Sequence, residues 1–388
     1  MVKFTLLALL ALFPLALSAP PCSHQKHVKS TFDLNYQTNS EPLFGSLRLI
    51  QTGEDKEPEW MTENDVMKLK RNNINFMDVT DYLELGTHYK PSNRREYPVK
   101  PSYNEEVNPF IGNLTTKYME ENLEKFTSFH NRYYRSEYGL ESSNWLFDHI
   151  SNIIENHGDK SVLSIRKFSH NWKQNSIIAR FEGYDPDKSN EVVIVGAHQD
   201  SIHMWLPTFG RAPGADDDGS GTVTILEAFR VLVTGGFKPQ RPVEFHWYSA
   251  EEAGLLGSQA ISLEDEKQGR NVIGMIQNDM TGYIGSRSAE HIGIVNDYVD
   301  EDLTSFVTKL IGSYVDIPFS LTKCGYACSD HASWRKAGFP SAFAIEGDFS
   351  DSNPHIHSPN DLTKYISYDH MLQFSKLSVS FAVELSHA

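Results

Sequence analysis

Two adjacent carboxylates at the end of a mainly apolar run are the clearest sign of chemistry in this sequence. Glu251 and Glu252 directly follow the run at 243–249, which is typical of a buried strand. Two carboxylates in such a place are costly unless positive charge lies beside them. The pair therefore indicates a bound cation, with one carboxylate available as a general base.

Four further segments carry residues of the types that bind divalent metal ions. Their candidate ligands are His198, Asp217, Asp279 and His357. Together with the two glutamates, they suit a pair of divalent ions plus a general base. Chemistry alone leaves two choices open. Asp217 is the middle of three aspartates that could instead cap a helix, and His355 precedes His357 by two residues.

Asp200 stands two residues after His198. A carboxylate at that spacing is placed to accept the second ring N–H of the histidine, which fixes its tautomer for metal binding. We therefore expect Asp200 to orient His198 without binding the ion itself.

The elements that must position these residues alternate between strand and helix patterns. Strands are predicted at 177–181, 192–196, 243–248, 272–277 and 341–345, and helices at 115–131, 142–157, 222–232, 255–267, 303–314 and 368–385. This alternation predicts a single α/β domain with a mostly parallel central sheet and helices on both faces. Sites in such folds lie at the carboxyl ends of strands, where His198, the two glutamates and Asp279 all fall.

The N-terminal part of the chain predicts export. Residues 1–18 have a charged start, an apolar stretch and small residues near Ser18, as in a signal peptide. We therefore expect a secreted, extracellular protein with no membrane span. The net charge of −16 argues against a nucleic-acid partner. Asn113 begins a glycosylation sequon, which agrees with secretion.

Residues 19–95 are polar and look irregular apart from short helical pieces such as 61–69 with Thr62 as a cap. The segment ends at Arg94-Arg95, a dibasic pair suited to proteolytic processing. We expect it to be a propeptide that inhibits or chaperones the domain at 96–388. A permanent small domain is the alternative.

The chain has three cysteines, of which Cys22 falls in the propeptide. In an oxidising compartment Cys324 and Cys328 could close a small loop around Tyr326. We expect a disulfide there, with Cys22 unpaired.

Six ordered motifs carry a specific resemblance. They read GAHQDS at 196–201, APGADDDGSG at 212–221, SAEEAGLLGS at 249–258, QNDM at 277–280, CGYACSDH at 324–331 and IHSPND at 356–361. In this order they resemble the two-zinc exopeptidases of metallopeptidase family twenty-eight, most closely its secreted fungal leucine aminopeptidases. The resemblance covers roughly residues 97–388, with the signal and propeptide placed before it.

The resemblance implies roles that spacing leaves open. Asp217 would bridge two Zn²⁺ ions, with a cis peptide bond after it. Glu252 and His357 would complete one zinc site, and His198 and Asp279 the other. Glu251 would be the general base.

These roles imply an extracellular metalloaminopeptidase that removes Leu or another large apolar residue from peptides with a free N-terminus. We expect it to act as a monomer. Tyr326 is a candidate donor to the oxyanion. Apolar residues near the motifs are candidates for the pocket of the first side chain: Met280, Phe343, Ile345, Phe349 and Ile356.

Other functions remain open on the same fold. A glutaminyl cyclase-like acyltransferase would use one zinc ion, whereas this sequence offers a full two-ion ligand set. A carboxypeptidase would need an Arg or Lys to hold a free carboxylate, and no clear candidate stands out. A catalytically inactive binding module would be expected to have lost a ligand or the base.

Overall fold

The computed structural model describes residues 47–88, 95–286 and 289–388. Its strands are β1 Arg48–Gln51, β2 Glu59–Met61, β3 Met77–Asp78, β4 Leu163–Phe168, β5 Ser176–Phe181, β6 Glu191–His198, β7 Val243–Tyr248, β8 Asn271–Asn278, β9 Ile292–Val295, β10 Phe319–Thr322 and β11 Ser341–Ile345. Its α-helices are α1 Glu63–Arg71, α2 Asn104–Ile111, α3 Thr116–Thr127, α4 Glu137–His157, α5 Gly219–Thr234, α6 Leu256–Gln268, α7 Glu301–Tyr314, α8 His331–Lys336 and α9 Tyr368–His387.

An eight-stranded sheet forms the centre of the fold, in the order β10-β9-β11-β8-β6-β7-β5-β4. The four central strands, β11, β8, β6 and β7, run parallel to one another. Antiparallel pairing begins where β9 joins β11 and where β5 joins β7. The prediction of a single α/β domain with a mostly parallel sheet is confirmed, and the carboxyl ends of the central strands meet at one edge.

Both faces of the sheet are covered, as predicted. Strand β6 shows how, because successive side chains of a strand point to opposite faces. Val193 and Val195 pack with α4, α5, α7 and α9, whereas Val192 and Ile194 pack with α6 and α8. A strand that is buried on both faces reads as a continuous apolar run, which is why this one was visible in the sequence.

The segment at 47–88 is more regular than the sequence suggests. Strands β1, β2 and β3 form a small antiparallel sheet in the order β2-β1-β3. Helix α1 follows β2, and the Thr62 side chain accepts from the N–H of Asp65, which confirms the predicted cap. The three strands are only two to four residues long, too short for their alternation to stand out.

Several boundaries differ from the predictions. The helix expected at 115–131 ends at Thr127, and the one expected from 142 begins at Glu137 behind a Ser136 cap. The signal at 1–18, Cys22 and Arg94 lie outside the described residues. Within the described ranges, no helix is both long and apolar enough to cross a membrane.

Candidate metal centre

The carboxyl edge of the parallel strands brings the candidate residues together. His198 is the last residue of β6, and Asp279 directly follows β8. Glu251 and Glu252 come shortly after β7. Each strand is held by its neighbours in the sheet, so these side chains start from a rigid frame.

Two groups of ligand atoms meet at Asp217. In the first, the His198 Nε2 atom lies 3.1 Å from Asp217 Oδ1 and 3.5 Å from Asp279 Oδ1. In the second, the His357 Nε2 atom lies 2.9 Å from Asp217 Oδ2 and 3.2 Å from Glu252 Oε2. The two carboxylate oxygens of Asp217 therefore face different groups.

These spacings fit a metal ion in each group. Ligands about 2.0 Å from a tetrahedral zinc ion lie about 3.3 Å from one another. The observed separations of 2.9–3.5 Å surround that value. The ligand types, imidazole and carboxylate, also suit zinc. Each group has the members that the resemblance implies for one site.

Loop packing explains why His357 rather than His355 reaches the centre. The His355 ring stacks on Tyr365 with a centroid distance of 4.1 Å, so it is turned into the loop. His357 adopts a positive φ of 56°, which is uncommon for a residue other than glycine. Its ring nitrogen lies among the carboxylates of the second group.

The carboxylates of the centre raise the pKa of both histidines. Burial alone would lower the pKa of His357, but Glu252 and Asp217 raise it to about 9. The pKa of His198 is also raised, against the effect of burial, chiefly by Asp279. The carboxylates thus favour positive charge on both sides of Asp217. A metal ion could replace these protons, because a histidine must be neutral to bind it.

Neighbouring aspartates of the triplet at 216–218 have different roles. Asp218 caps α5 through the N–H of Gly221, and its carboxylate also accepts from the N–H groups of His198 and Met280. The cap and the ligand therefore fall on neighbouring aspartates. The peptide bond between Asp217 and Asp218 is cis, as the resemblance implies. The Asp361 carboxylate accepts from the N–H of Asp217 at 3.1 Å.

Asp200 links two strand ends. Its Oδ1 atom lies 3.3 Å from Nδ1 of His198 and accepts the N–H of Glu251 at 3.0 Å. Its Oδ2 atom accepts the N–H of Glu252 at 3.2 Å. One fully buried carboxylate thus positions a histidine of the first group and the backbone of both glutamates.

Glu251 is half-buried beside the two groups. Burial raises the pKa of its carboxyl group well above the usual range, and Glu252 adds to this effect. The positive charges of His198 and Lys70 oppose the rise. A carboxyl group with a raised pKa in a cleft is suited to accept and return a proton.

The predicted disulfide between Cys324 and Cys328 is present in the structure. Ser329 follows it, and its hydroxyl donates to Asp279 Oδ2 at 2.6 Å. Sequence reasoning missed Ser329, although its place in the CGYACSDH motif was a signal. The Tyr326 hydroxyl, expected to face a reacting carbonyl, donates to Gln51 Oε1 at 3.0 Å.

The candidate pocket residues mostly form one apolar cluster. Met280, Phe343 and Ile345 are buried together, and Ile356 packs against them. Phe349 is separate from this cluster, since it is 40% exposed on the short 3-10 helix Phe349–Asp351. The structure therefore supports four of the five as neighbours.

Lys70 is a second residue that sequence reasoning missed. It lies in the last turn of α1, and its ammonium group forms an ion pair with Glu252. No spacing rule links two residues so far apart in the chain, so the contact appears only in the folded structure.

The sequence model of peptidase family M28 matches residues 176–382, more than half of the chain and all of the residues in both ligand groups. This chain belongs to peptidase family M28. Two fungal relatives agree with this assignment. The Leucine aminopeptidase 1 of Neurospora crassa is 50% identical over 85% of this chain and 83% of its own. The Leucine aminopeptidase 1 of Sclerotinia sclerotiorum is 46% identical over 100% of this chain and 99% of its own length.

Among M28-like solved structures, the LapA aminopeptidase of Legionella pneumophila superimposes with a TM-score of 0.77. It is 30% identical and covers 89% of this chain and 95% of its own. The Sclerotinia alignment extends over the segment before the M28 region, so that relative has a counterpart of residues 47–88.

Proposed function

We propose that this M28 peptidase is a secreted metalloaminopeptidase that releases an N-terminal Leu or another large apolar residue from peptides. It would use two zinc ions bridged by Asp217. The observation that carries the proposal is the division of the Asp217 oxygens between the His198–Asp279 group and the Glu252–His357 group. The printed name of the fungal relatives, Leucine aminopeptidase 1, supports the same activity.

In the proposed reaction, side chains of the protein transfer the proton and position the groups that react. When bound, the zinc ions would lower the pKa of water and polarise the scissile carbonyl. Glu251 accepts the proton of the attacking water and returns it to the leaving amine. Asp200 holds the backbone of Glu251 in place. Tyr326 becomes available to the oxyanion when its contact with Gln51 is broken.

The apolar cluster beside Asp279 accounts for the proposed selectivity. Met280, which follows Asp279, packs with Phe343, Ile345 and Ile356. Burial of each extra methylene of a substrate side chain in such a pocket changes selectivity by about 1–3 kcal/mol. We therefore propose a preference for large apolar residues rather than strict specificity for Leu.

We also propose how the chain is exported, cleaved and modified before it becomes active. Export would remove residues 1–18, and cleavage near Arg95 would release residues 19–95 as an inhibitory or chaperoning propeptide. The Asn113 side chain is exposed, which suits glycosylation. We propose that the mature protein acts as a monomer.

The direct test uses the purified, cleaved protein. It should hydrolyse a leucyl chromogenic amide, lose that activity to a chelator, and regain it with zinc. A peptide with a blocked N-terminus and a free carboxyl end should stay intact, whereas a carboxypeptidase would cleave it. Conversion of an N-terminal glutaminyl peptide to its cyclic product, without leucyl amide hydrolysis, would instead support the acyltransferase.

A further inference from the structure

We propose that Lys70 is the resident cation of the Asp217–Glu252–His357 group in the uncleaved chain. That chain would therefore bind one zinc ion tightly, at His198, Asp217 and Asp279. The second ion would enter only when the N-terminal segment leaves. This inference rests on the proposed two-zinc function. It adds the residue that would hold the second zinc site closed, and the number of zinc ions that the uncleaved chain would bind.

The Lys70 ammonium group lies at a carboxylate oxygen that a metal ion would need. It pairs with the same Glu252 oxygen, Oε2, that lies 3.2 Å from His357 Nε2. A metal ion that joins Glu252 to His357 would compete with the ammonium for this oxygen. The Lys70 side chain is only 14% exposed, so it is largely buried beside the ligand group.

Negative charge surrounds the Lys70 ammonium group. Glu251 precedes Glu252 in the chain, and Asp217 Oδ2 and Glu252 Oε2 lie 2.9 and 3.2 Å from the same His357 Nε2 atom. Both further carboxylates therefore lie near the ammonium. Three carboxylates in a buried space need compensating positive charge. In the uncleaved chain Lys70 supplies it beside the His357 ring, whereas a divalent ion would supply it in the cleaved protein. Both cations in one small space would repel each other strongly.

The N-terminal segment is held firmly against the loop that carries Glu252. The Arg48 guanidinium bonds Asp78 at 2.7 Å and also reaches the carbonyl oxygen of Ala253. The N–H of Asp78 donates to the carbonyl oxygen of Gly254 at 3.0 Å. The small sheet thus forms hydrogen bonds with the two residues that follow Glu252. These bonds hold the segment that carries α1 beside the centre.

The same segment also contacts the disulfide loop that carries Tyr326. Gln51 accepts from the Tyr326 hydroxyl and from Lys336, and Asn75 donates to the carbonyl oxygen of Cys324 at 3.2 Å. These contacts fix the disulfide loop at the same time as Lys70 holds Glu252. Release of the segment would therefore free the metal ligand and the oxyanion candidate together.

Helix α1 also supplies a matched control. Lys68 stands two residues before Lys70 on the same helix, but its side chain is 66% exposed and pairs with Asp65. Lys68→Met changes the net charge of the protein by the same amount as Lys70→Met. Methionine keeps an unbranched chain and a good helix propensity in both cases. Only Lys70→Met removes the ammonium group that pairs with Glu252.

The experiment measures zinc binding, not turnover. Uncleaved protein, with its mass verified, is stripped with a chelator and titrated with zinc by calorimetry. Wild type and Lys68→Met should each bind one zinc ion tightly. Their affinity for the second zinc ion should be at least about 100-fold lower than that of Lys70→Met, which is the scale of a disrupted buried ion pair. Lys70→Arg, which keeps the charge, should behave like wild type. Cleaved wild type should bind two ions tightly.

Two results would overturn the inference. One is tight binding of two ions by the uncleaved wild type, and the other is a weak second site in a folded Lys70→Met protein. Failure of the proposed function looks different. Cleaved protein that binds two ions but leaves leucyl amides intact would contradict the aminopeptidase and leave the role of Lys70 supported by the titrations.

Discussion

Replacement of Asp200 by Asn tests whether the centre depends on the residue that links its strands. The carboxylate accepts two backbone N–H groups, from Glu251 and Glu252, and faces Nδ1 of His198. An amide of the same shape keeps one oxygen and turns its NH₂ group toward a donor. One charged hydrogen bond is lost, worth about 1.5–3 kcal/mol. Loss of the histidine's partner should weaken zinc binding about 10- to 100-fold.

The assay pairs chemical denaturation of the metal-free protein with zinc titration against a chromogenic chelator. Asp200→Asn should lower both the free energy of unfolding and the zinc affinity by the amounts above. Asp159→Asn is the matched control, because Asp159 accepts a backbone N–H at the exposed surface. If Asp200→Asn matched wild type in both measurements, the positioning role argued for Asp200 would be wrong.

Glu251→Gln should keep both zinc ions but lower turnover by at least about 100-fold, because proton transfer is lost. Asp217→Ala should lose both ions, since each group loses an oxygen. His331→Phe should reduce acid sensitivity. Burial lowers the pKa of His331 to about 3, and the unfolded chain takes up that proton below its ordinary pKa of 6.5, so stability falls as pH falls from 6.5 towards 3. At pH 5 this histidine should account for about 2 kcal/mol of lost stability.

Each of these has a clear contrary outcome. Near-normal turnover in zinc-loaded Glu251→Gln protein would remove the general base. Two zinc ions per chain in Asp217→Ala would exclude the bridge. For His331→Phe the measurement is the free energy of unfolding by denaturant between pH 7 and pH 4. An acid slope equal to that of wild type would show that His331 does not govern this pH range.

Strand ends explain why much of the centre could be predicted from the sequence. Buried parallel strands are continuous apolar runs, so β6, β7, β8 and β11 were found within one or two residues. Polar residues immediately after such runs must gather at one edge of the sheet. His198, Glu252 and Asp279 follow that logic. Asp217 stands just before α5 and His357 lies in a loop well after β11, so only the resemblance indicated their places. The metal-binding roles of all five remain proposals.

Features with weak local patterns were missed. Strand β4 lies at the edge of the sheet and is largely exposed, so polar residues interrupt its apolar pattern. Lys70 and Ser329 act through contacts made only after folding, with Glu252 and Asp279 respectively. A lysine on an amphipathic helix usually faces solvent, so nothing in its neighbourhood distinguished Lys70 from Lys68.

Anomalous X-ray diffraction at the zinc edge from crystals of the cleaved, zinc-loaded protein tests the central claim most directly. The account predicts two zinc peaks of similar occupancy, with Asp217 bound to both. One peak should lie with His198 and Asp279, and the other with Glu252 and His357. A single zinc peak, or two peaks without Asp217 between them, would contradict the account.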